Sequence, residues 1–485
     1  MNTTFFRLRS FAALAVLLSF VMLFSNCRKE KFITDSGAQL SFSTDTLTFD
    51  TVFTTIGSTT KFIRIYNTHK QSIKISDIRL GGGSSSQFRI NVDGIPGAVA
   101  TDMEILPEDS IYIFVEVTVD PGNQDLPFVM IDSIEFETNG NHQRVVLEAW
   151  GQDAHFFRSE AICTQTWPND KPYVIINFLE LDSGCVLTID PGVRIYFGGG
   201  AGMFINGTSQ IIANGTKEDP VVFQGIRLES FFDDLPGQWL GIFILRGSNG
   251  NSLTHTHIKN SDYGVSMGSS RDSEITASTF TFANAPDVVL DKCIIQNSFL
   301  NCVFGFLSVV TANNCLFFNA GEYMATLGLG GVYEFNHCTF ANFGSNTISH
   351  QNPIILMSNL AETSQNLFLA DLQATFTNSI IYGSLESEIE LSQADDTLGV
   401  LFDFTFDHCL MKLDEEDFNL ADTTYINVIN NQDPLFLDVS EDDYHLSAGS
   451  PAIDSGATTT GLTVGLDEEM REASAPDIGA YEYVE

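Results

Sequence analysis

Basic residues are scarce in this chain of 485 residues. Its 23 lysines and arginines stand against 62 aspartates and glutamates, which gives a formal net charge of −39 at pH 7. A surface of this charge repels nucleic acid and anionic membranes, so we expect no nucleic-acid partner. The stretch from Cys293 to Met411 contains no lysine or arginine at all. It therefore offers no lysine or arginine to bind an acidic ligand or to act as a catalytic base.

Motifs that would hold a metal are also missing. No cysteine pair has the Cys-x-x-Cys spacing of a zinc site, and no cysteine–histidine spacing supplies one. His255 and His257 flank one threonine, which would place both on one strand face, but no third ligand is apparent. The acidic loops Glu415–Asp417 and Glu441–Asp443 lack the spaced ligands of a calcium loop and would bind Ca²⁺ only weakly. We therefore predict no cofactor and no metal site.

One five-residue sequence motif occurs three times near the middle of the chain. Each copy begins with cysteine and reaches asparagine four positions later, in Cys293–Asn297, Cys315–Asn319 and Cys338–Asn342. Spacings of 22 and 23 residues are typical of a solenoid, and five-residue apolar segments suit strands. We predict a parallel β-helix in which these cysteines and Cys409 stack inside and the asparagines stack at a turn.

The segment before the repeats has a different pattern. Between residues 39 and 153, longer strands alternate apolar and polar residues, for example Lys61–Tyr66 and Ile111–Val117, with turn residues between them. About seven strands of this kind predict an immunoglobulin-like β-sandwich. We interpret it as a stalk and cap for the repeats, with ligand binding by its loops as the alternative.

The N-terminus has the pattern of an export signal. Residues 1–26 combine a basic start with the apolar run Phe11–Phe24, which is short for a membrane span. The run leads into Cys27 and resembles a bacterial lipobox, although Asn26 departs from the small residue that usually precedes the cysteine. The resemblance implies a lipid on Cys27, a linker over residues 27–38 and anchoring in outer-membrane lipid. An ordinary signal peptide is the alternative, and the sequence does not decide between the surface and periplasmic faces.

Seven cysteines follow Cys27, and an odd number leaves at least one free thiol in an oxidising compartment. Cys163 and Cys185 stand at the start of the predicted repeats and are candidates for a disulfide. We expect the stacked cysteines to be buried small hydrophobes.

Three motifs in the second part of the chain resemble right-handed β-helix repeat proteins. They are Gly237–Ile242, Ser450–Gly456 and the tail Asp477–Tyr483, which reads Asp-Ile-Gly-Ala-Tyr-Glu-Tyr. With the lipobox and the sandwich, they are similar to envelope lipoproteins of Bacteroidota-type bacteria with a pectin-lyase-like fold. The resemblance implies an all-β protein with a right-handed, three-sided parallel β-helix over residues 154–450 and a C-terminal cap over residues 451–485.

The β-helix fold is shared by polysaccharide lyases and hydrolases, so an enzyme must be weighed. A uronate lyase uses lysine or arginine as its base, and the gap in basic residues argues against that class. A hydrolase uses two or three aspartates around the sugar. Adjacent pairs occur at Asp233–Asp234, Asp395–Asp396 and Asp442–Asp443, all in loop-like contexts that we interpret as solvated. We assign no catalytic residue, and an enzyme is the less favoured class.

A non-catalytic binder is the leading hypothesis. Exposed aromatic rings on a flat β-helix face stack on sugars, and Trp239 with Phe231 and Phe232 is the candidate glycan contact. Packing of Trp239 against the first repeats is the alternative. We predict an exported, lipid-anchored envelope protein with a structural or binding role, whose partner is a polysaccharide or another cell-surface protein. The alternative is a polysaccharide-degrading lyase or glycoside hydrolase.

Asp-Ser or Asp-Thr followed by an aliphatic residue or threonine resembles the O-glycosylation sequon of exported Bacteroidota proteins. The acceptor hydroxyls would belong to Thr46, Thr51, Ser110, Ser133, Thr397 and Thr423. The tripeptide is a loose pattern, because Asp-Ser and Asp-Thr are also common at turns.

Overall fold

A computed structural model describes residues 32–53, 57–119, 128–268, 286–362 and 366–484. The protein is all-β and divides into two compact units, Met1–Asp153 and Ala154–Glu485. The described helices are single 3₁₀ turns at Gly83–Ser85, Ser230–Phe232, Asp396–Leu398 and Val439–Glu441. In the part of the chain that is described, no helix is long and apolar enough to cross a membrane. Cys27 lies outside the described residues, so its lipidation stays a prediction.

The first unit has two five-stranded sheets around one hydrophobic core. One sheet contains β1 (Ser41–Phe42), β3 (Lys61–Tyr66), β5 (Phe88–Val92), β6 (Ile95–Pro96) and β8 (Ser110–Val117), in the order β1-β3-β8-β5-β6. The other contains β2 (Thr46–Phe53), β4 (Ile73–Leu80), β7 (Val99–Ile105), β9 (Phe128–Thr138) and β10 (Asn141–Gln152), in the order β2-β10-β9-β4-β7. Burial alternates along β3, where Ile63 and Ile65 are buried and Arg64 is exposed. This alternation gives each sheet one face on the core.

The second unit, called here the parallel-strand unit, contains one sheet of 26 described strands, consistent with a parallel β-helix. Its first half consists of β11 (His155–Ile162), β12 (Gln165–Trp167), β13 (Tyr173–Leu181), β14 (Val186–Ile189), β15 (Arg194–Phe197), β16 (Gly202–Ile205), β17 (Gln210–Asn214), β18 (Val221–Gly225), β19 (Gly241–Ile244), β20 (Asn251–Thr254), β21 (Thr256–Lys259), β22 (Tyr263–Met267) and β23 (Val288–Asp291).

The sheet continues with β24 (Ile294–Ser298), β25 (Asn301–Asn313), β26 (Leu316–Ala320), β27 (Ala325–Asn336), β28 (Thr339–Asn342), β29 (Ile355–Ser358), β32 (Leu372–Thr377), β33 (Ile380–Gly383), β34 (Ile389–Ser392), β35 (Phe402–Asp407), β36 (Leu410–Met411), β37 (Tyr425–Ile426) and β38 (Ile429–Asn430). Two antiparallel hairpins stand apart from it: β30 (Leu360–Glu362) with β31 (Leu367–Leu369), and β39 (Phe436–Asp438) with β40 (Asp443–Leu446).

Strands three apart in the chain lie side by side in this sheet. β14 pairs in parallel with β17, β15 with β18 and β16 with β19, and the same step still joins β21 to β24. Each repeat of this part is therefore made of three strands. Farther along, β25 replaces two short strands, because it pairs with both β22 and β23. Alternate side chains of the strands point into a shared apolar interior.

A column of small side chains runs through that interior, and all of its members are fully buried: Thr256, Cys293, Cys315, Cys338, Ser379 and Cys409. The N–H of Cys293 donates to Cys315 Sγ at 3.4 Å, and the N–H of Cys338 donates to Ser379 Oγ at 3.1 Å. The prediction that the stacked cysteines are buried is confirmed. Burial raises the pKa of the Cys409 thiol to about 12, so this thiol is chemically inert.

The start of the parallel-strand unit is cross-linked. Cys163 and Cys185, the candidate pair in the sequence, are joined by a disulfide in the structure. The rings of Trp167 and Tyr173 stack with centroids 4.2 Å apart and belong to the same apolar interior. The disulfide and the stacked rings together fix the first layer of that interior.

The segment after β40 folds back on the outer face of the sheet. Tyr481 and Ala480 share an apolar cluster with Phe318, and Ile478 shares one with Ile380. The buried guanidinium of Arg471 pairs with the Glu482 carboxylate at 3.1 Å. The chain's last described residues therefore cover strands that lie far earlier in the sequence.

Candidate functional site

The asparagines of the repeated motif, together with Asn260, form a second column at the C-terminal ends of the strands β21, β24, β26 and β28. Asn260, Asn297 and Asn319 have left-handed φ angles of 64°, 52° and 55°, which asparagine tolerates better than most residues. Asn319 Nδ2 donates to Asn297 Oδ1 at 3.3 Å, and Asn342 Nδ2 donates to the carbonyl of Ala320 at 2.9 Å. We call these four asparagines the asparagine column. Two of its amides, Asn297 and Asn319, border a cleft.

The cleft lies between the asparagine column and three loops. One loop carries Asp234 after the 3₁₀ turn Ser230–Phe232, and a second carries Asp442 after the 3₁₀ turn Val439–Glu441. The third loop is residues 344–347. The volume of the cleft is about 510 Å³, within the range of small-molecule sites.

Asp234 and Asp442 interact electrostatically across this cleft. Asn297 Nδ2 donates to Asp234 Oδ1 at 3.2 Å. Burial and the charge of Asp234 raise the pKa of Asp442 to about 6, although a hydrogen bond from Asn319 favours its charged form. The site therefore combines a carboxyl group that is protonated in mildly acidic solution with a second carboxylate.

Packing on the repeats holds both loops in place. Asn260 Nδ2 donates to the carbonyls of Phe232 and Asp233, at 3.1 Å and 2.8 Å. On the other side, the ring of Tyr444 packs on Phe318 with centroids 5.0 Å apart, two residues after Asp442. The cleft is thus attached to the regular strands through the asparagine column and one aromatic contact.

Trp239 does not face the cleft. It is fully buried, its indole stacks on Phe197 with centroids 4.0 Å apart, and its Nε1–H donates to the carbonyl of Lys259 at 3.0 Å. The prediction that Trp239 contacts glycan is wrong, and its packing alternative is what the structure contains. The reason is that a backbone carbonyl of the next repeat satisfies the indole N–H, which removes the usual obstacle to burying it.

The two phenylalanines of the candidate glycan contact differ. Phe231 is 76% exposed and lies at the edge of the cleft. Phe232 is half-buried, and the guanidinium of Arg227 lies over its ring at 4.0 Å from the centroid. Phe231 is therefore the ring that remains accessible to a ligand.

In two of the three adjacent aspartate pairs, Asp233–Asp234 and Asp442–Asp443, one member lines the cleft and the other does not. Asp443 binds His445 Nδ1 at 2.6 Å, away from its neighbour in the cleft. Asp395 caps a 3₁₀ turn by accepting the N–H of Thr397 at 2.9 Å, as expected for a solvated loop. The pair that forms, Asp234 with Asp442, takes one member from each of two sequence pairs.

Among the described residues, no group of three or more histidine, cysteine, aspartate or glutamate side chains is arranged to hold a metal ion. His255 sits at a left-handed turn with φ 40° and lies 3.2 Å from Glu468, whereas His257 lies within β21. The two histidines therefore do not share one strand, and that interpretation of the sequence is wrong.

The Gly-x-Ser-x-Gly spacing occurs once, at Gly264–Gly268. Ser266 lies inside strand β22 and is 3% exposed. A nucleophile of that motif stands exposed on a sharp turn between a strand and a helix, so Ser266 does not fit the role.

The candidate O-glycosylation hydroxyls lie in different environments. Thr397 and Thr423 are exposed, and Thr46, Ser110 and Ser133 are half-buried. For Thr51 the backbone alone is described, in β2. Their modification stays a prediction.

No protein-family model matches the chain, and no curated protein matches it. Among solved structures, a family 123 glycoside hydrolase from Clostridium perfringens is similar over 24% of this chain and 26% of its own, with 9% identity and a TM-score of 0.18. The alkylpurine DNA glycosylase AlkC from Pseudomonas fluorescens is similar over 24% of this chain and 31% of its own, with 11% identity and a TM-score of 0.16. Likenesses this slight carry no argument about fold or function.

Proposed function

We propose that this chain is an exported, lipid-anchored outer-membrane protein that binds a neutral glycan in the cleft between Asp234 and Asp442. In this proposal residues 39–153 form an immunoglobulin-like stalk, supported by the two sheets around one core. Residues 154–450 form a right-handed, three-sided parallel β-helix, supported by the three-strand repeat. The cleft is the binding site that this scaffold presents.

The observation that carries the proposal is the meeting of polar groups and an exposed ring at one cleft. The carboxyl groups of Asp234 and Asp442 and the amides of Asn297 and Asn319 line it. Together they offer both hydrogen-bond donors and acceptors, which the hydroxyl groups of a sugar require. Phe231 adds an apolar surface at the edge for the C–H face of a sugar ring.

Charge selects among glycans. Two interacting carboxyl groups line the cleft, and the whole chain has a net charge of −39. Polyuronates would be repelled by this field. We therefore expect neutral polysaccharides to bind in preference to acidic ones.

The raised pKa of Asp442 favours a second function, hydrolysis of a glycosidic bond. An acid that is protonated in mildly acidic solution beside a carboxylate is the pairing that glycosidases use. Asp442 would protonate the glycosidic oxygen, and Asp234 would activate water or attack the sugar. The rate would then fall as the pH rises above about 6.

One experiment tests both functions on soluble protein, residues 28–485. Calorimetry measures binding to a panel of neutral and acidic polysaccharides, with calcium and with a chelator, and a second assay measures new reducing ends. We expect binding of a neutral polysaccharide without reducing-end release. Asp234→Asn and Phe231→Ala should each weaken it about tenfold, which corresponds to about 1.4 kcal/mol.

The matched control is Phe62→Ala, which removes a ring that is 54% exposed in the first unit and should leave binding unchanged. Failure of every polysaccharide to bind would overturn the proposal. Reducing-end release that disappears in Asp442→Asn would replace binding alone with the hydrolase function.

A further inference from the structure

A second polar pocket adjoins the cleft and contains a serine, a histidine and a glutamate in a row. Ser384 Oγ lies 2.9 Å from His350 Nδ1, and His350 Nε2 lies 3.2 Å from Glu388 Oε2. Ser384 is exposed, whereas the side chains of His350 and Glu388 are 2% and 0% exposed. An accessible hydroxyl is thus linked through a buried imidazole to a buried carboxylate.

Two neighbouring strands and one loop bring these residues together. Ser384 follows directly on β33, Glu388 stands directly before β34, and His350 comes from the loop between β28 and β29. Glu388 Oε1 accepts the N–H of Leu385 at 2.9 Å, which fixes the carboxylate on the short loop that begins with Ser384.

Gly383 makes this approach possible. A Cβ on Gly383 would lie 2.5 Å from Glu388 Oε1 and 2.8 Å from His350 Cε1. Contacts that short do not occur between real side chains, so a larger residue would push the imidazole and the carboxylate away. Because Gly383 has no side chain, His350 and Glu388 can lie directly against the backbone before Ser384.

The buried pair is not explained by packing. Burying a carboxylate without full hydrogen bonding costs several kcal/mol, whereas an apolar side chain of similar volume would carry no such cost. Glu388 Oε2 and His350 Nε2 have no hydrogen-bond partner in the described part of the chain, because their 3.2 Å approach is poorly aligned. A buried acid that faces a histidine is the element that orients a catalytic base and stabilises its charged form.

We propose that Ser384 is the nucleophile of an ester hydrolase, with His350 as its general base and Glu388 as the positioning residue. Glu388 Oε2 lies 3.2 Å from His350 Nε2, and its negative charge favours the tautomer that carries the proton on Nε2, which leaves the Nδ1 lone pair for the hydroxyl of Ser384. Most serine hydrolases use the opposite ring nitrogen to accept this proton.

The reaction follows from this arrangement. Ser384 Oγ attacks the ester carbonyl carbon, and its proton passes to His350 Nδ1. The bond to the alcohol oxygen then breaks, and the alcohol leaves with that proton. Water, deprotonated in turn by His350, attacks the acyl carbon, and the bond to Ser384 Oγ breaks. His350 returns the proton to Oγ, so that a carboxylic acid is released and Ser384 is restored.

The walls of the pocket indicate the class of ester. Ser345, Asn346 and Thr347 line it together with Phe343 and Ile348, and it is widely open to solvent. No long apolar channel is present among these described residues, so the acyl group is short and the alcohol is polar, as in an O-acetylated carbohydrate. Asn346 lies on the same wall, where its amide can donate to the ester oxygen.

The loop from Gly344 to Thr347 lines both this pocket and the cleft. A glycan in the cleft could therefore present its ester to Ser384. The ester hydrolase does not depend on glycan binding, because small esters reach the pocket directly.

The test uses soluble protein, residues 28–485, with 4-nitrophenyl acetate, butyrate and octanoate, and with a fluorophosphonate probe followed by peptide mass spectrometry. We expect acetate to be the preferred ester and the probe to label Ser384. Ser384→Ala should lower kcat/KM at least about 100-fold and abolish labelling. Because this side chain is exposed, the variant should fold as the parent does, which circular dichroism checks.

Matched controls separate chemistry from structure. Ser474→Ala removes an exposed hydroxyl outside this pocket, bonded to Glu472 rather than to a histidine, and should keep full activity. Glu388→Gln should lower kcat with KM unchanged, which a merely structural role would not produce. Absence of esterase activity and labelling, or activity that survives Ser384→Ala, would overturn the proposal. Glycan binding by Ser384→Ala shows separately whether the cleft works.

Discussion

Phe317 and Asn319 stand two residues apart on strand β26 and face opposite environments. Phe317 points into the interior, where it is fully buried and stacks on Phe340 with centroids 4.6 Å apart. Regular alternation would place Asn319 on the same face. The left-handed φ of 55° at Asn319 turns its amide to the cleft instead. One backbone angle therefore separates a residue that stabilises the repeat from one that lines the site.

The same contrast runs through both columns. The column of small side chains described above, which we call the cysteine column, lies inside and includes contacts between neighbouring repeats, as from the N–H of Cys293 to Cys315 Sγ. The asparagine column makes similar contacts between repeats and also reaches a loop, through the bond from Asn297 to Asp234. Stacking in the interior stabilises the repeats, and stacking of the asparagines positions the loops that line the cleft.

The largest effect should come from emptying the interior. Phe317→Ala removes a fully buried ring, so we expect the free energy of unfolding to fall by about 3–5 kcal/mol. Chemical denaturation measures this loss. The matched change Phe231→Ala, at a ring that is 76% exposed, should leave stability nearly unchanged. Equal losses of stability in the two variants would contradict the distinction between the interior and the edge of the cleft.

A smaller effect should separate polar from apolar changes within the cysteine column. Cys315→Ala leaves the buried N–H of Cys293 without its acceptor, at a cost of about 1–3 kcal/mol. Cys315→Ser should cost about 1 kcal/mol less, because Ser379 already accepts a backbone N–H in this column. Thermal unfolding of the two variants compares them directly. A larger loss of stability in Cys315→Ser than in Cys315→Ala would show that the sulfur stabilises the protein through its volume alone.

The smallest effect on stability is expected at the cleft, and it has the opposite sign. The pKa of Asp442 is raised in the folded state, so its ionisation opposes folding as the pH rises from about 4 to about 6. Asp442→Asn should therefore stabilise the protein at pH 8, by about 1 kcal/mol after allowance for solvent screening. At pH 4 the gain should vanish. Denaturation at both pH values measures the difference, and a constant gain would mean that burial of Asp442 is not its source.

The repeat was predictable because its pattern is local. Cysteine and asparagine recur at a fixed spacing, and each stack follows from the sequence alone. Trp239 was mispredicted because strand periodicity does not reveal that the carbonyl of Lys259, 20 residues away in the next repeat, would satisfy its N–H. An aromatic residue beside a loop looks the same in sequence whether it is buried or exposed.

The site could not be predicted because its members come from distant loops. Asp234 and Asp442 each have an adjacent aspartate, which drew attention to the wrong partner. Ser384 and Glu388 are close in sequence, but His350 comes from a loop 34 residues before Ser384 and carries no motif. The signal that remains is Gly383, a small residue next to a serine where backbone and buried side chains meet.

The positions of these residues along the chain also determine the order in which the walls of the cleft are synthesised. Asp442 and the Tyr444 contact with Phe318 come from the hairpin that follows the last strands of the sheet. During synthesis, the asparagine column and the loop of Asp234 are made first, and Asp442, which faces them, is made later. A chain interrupted before Asp442 therefore contains the stacked strands but lacks one wall of the cleft.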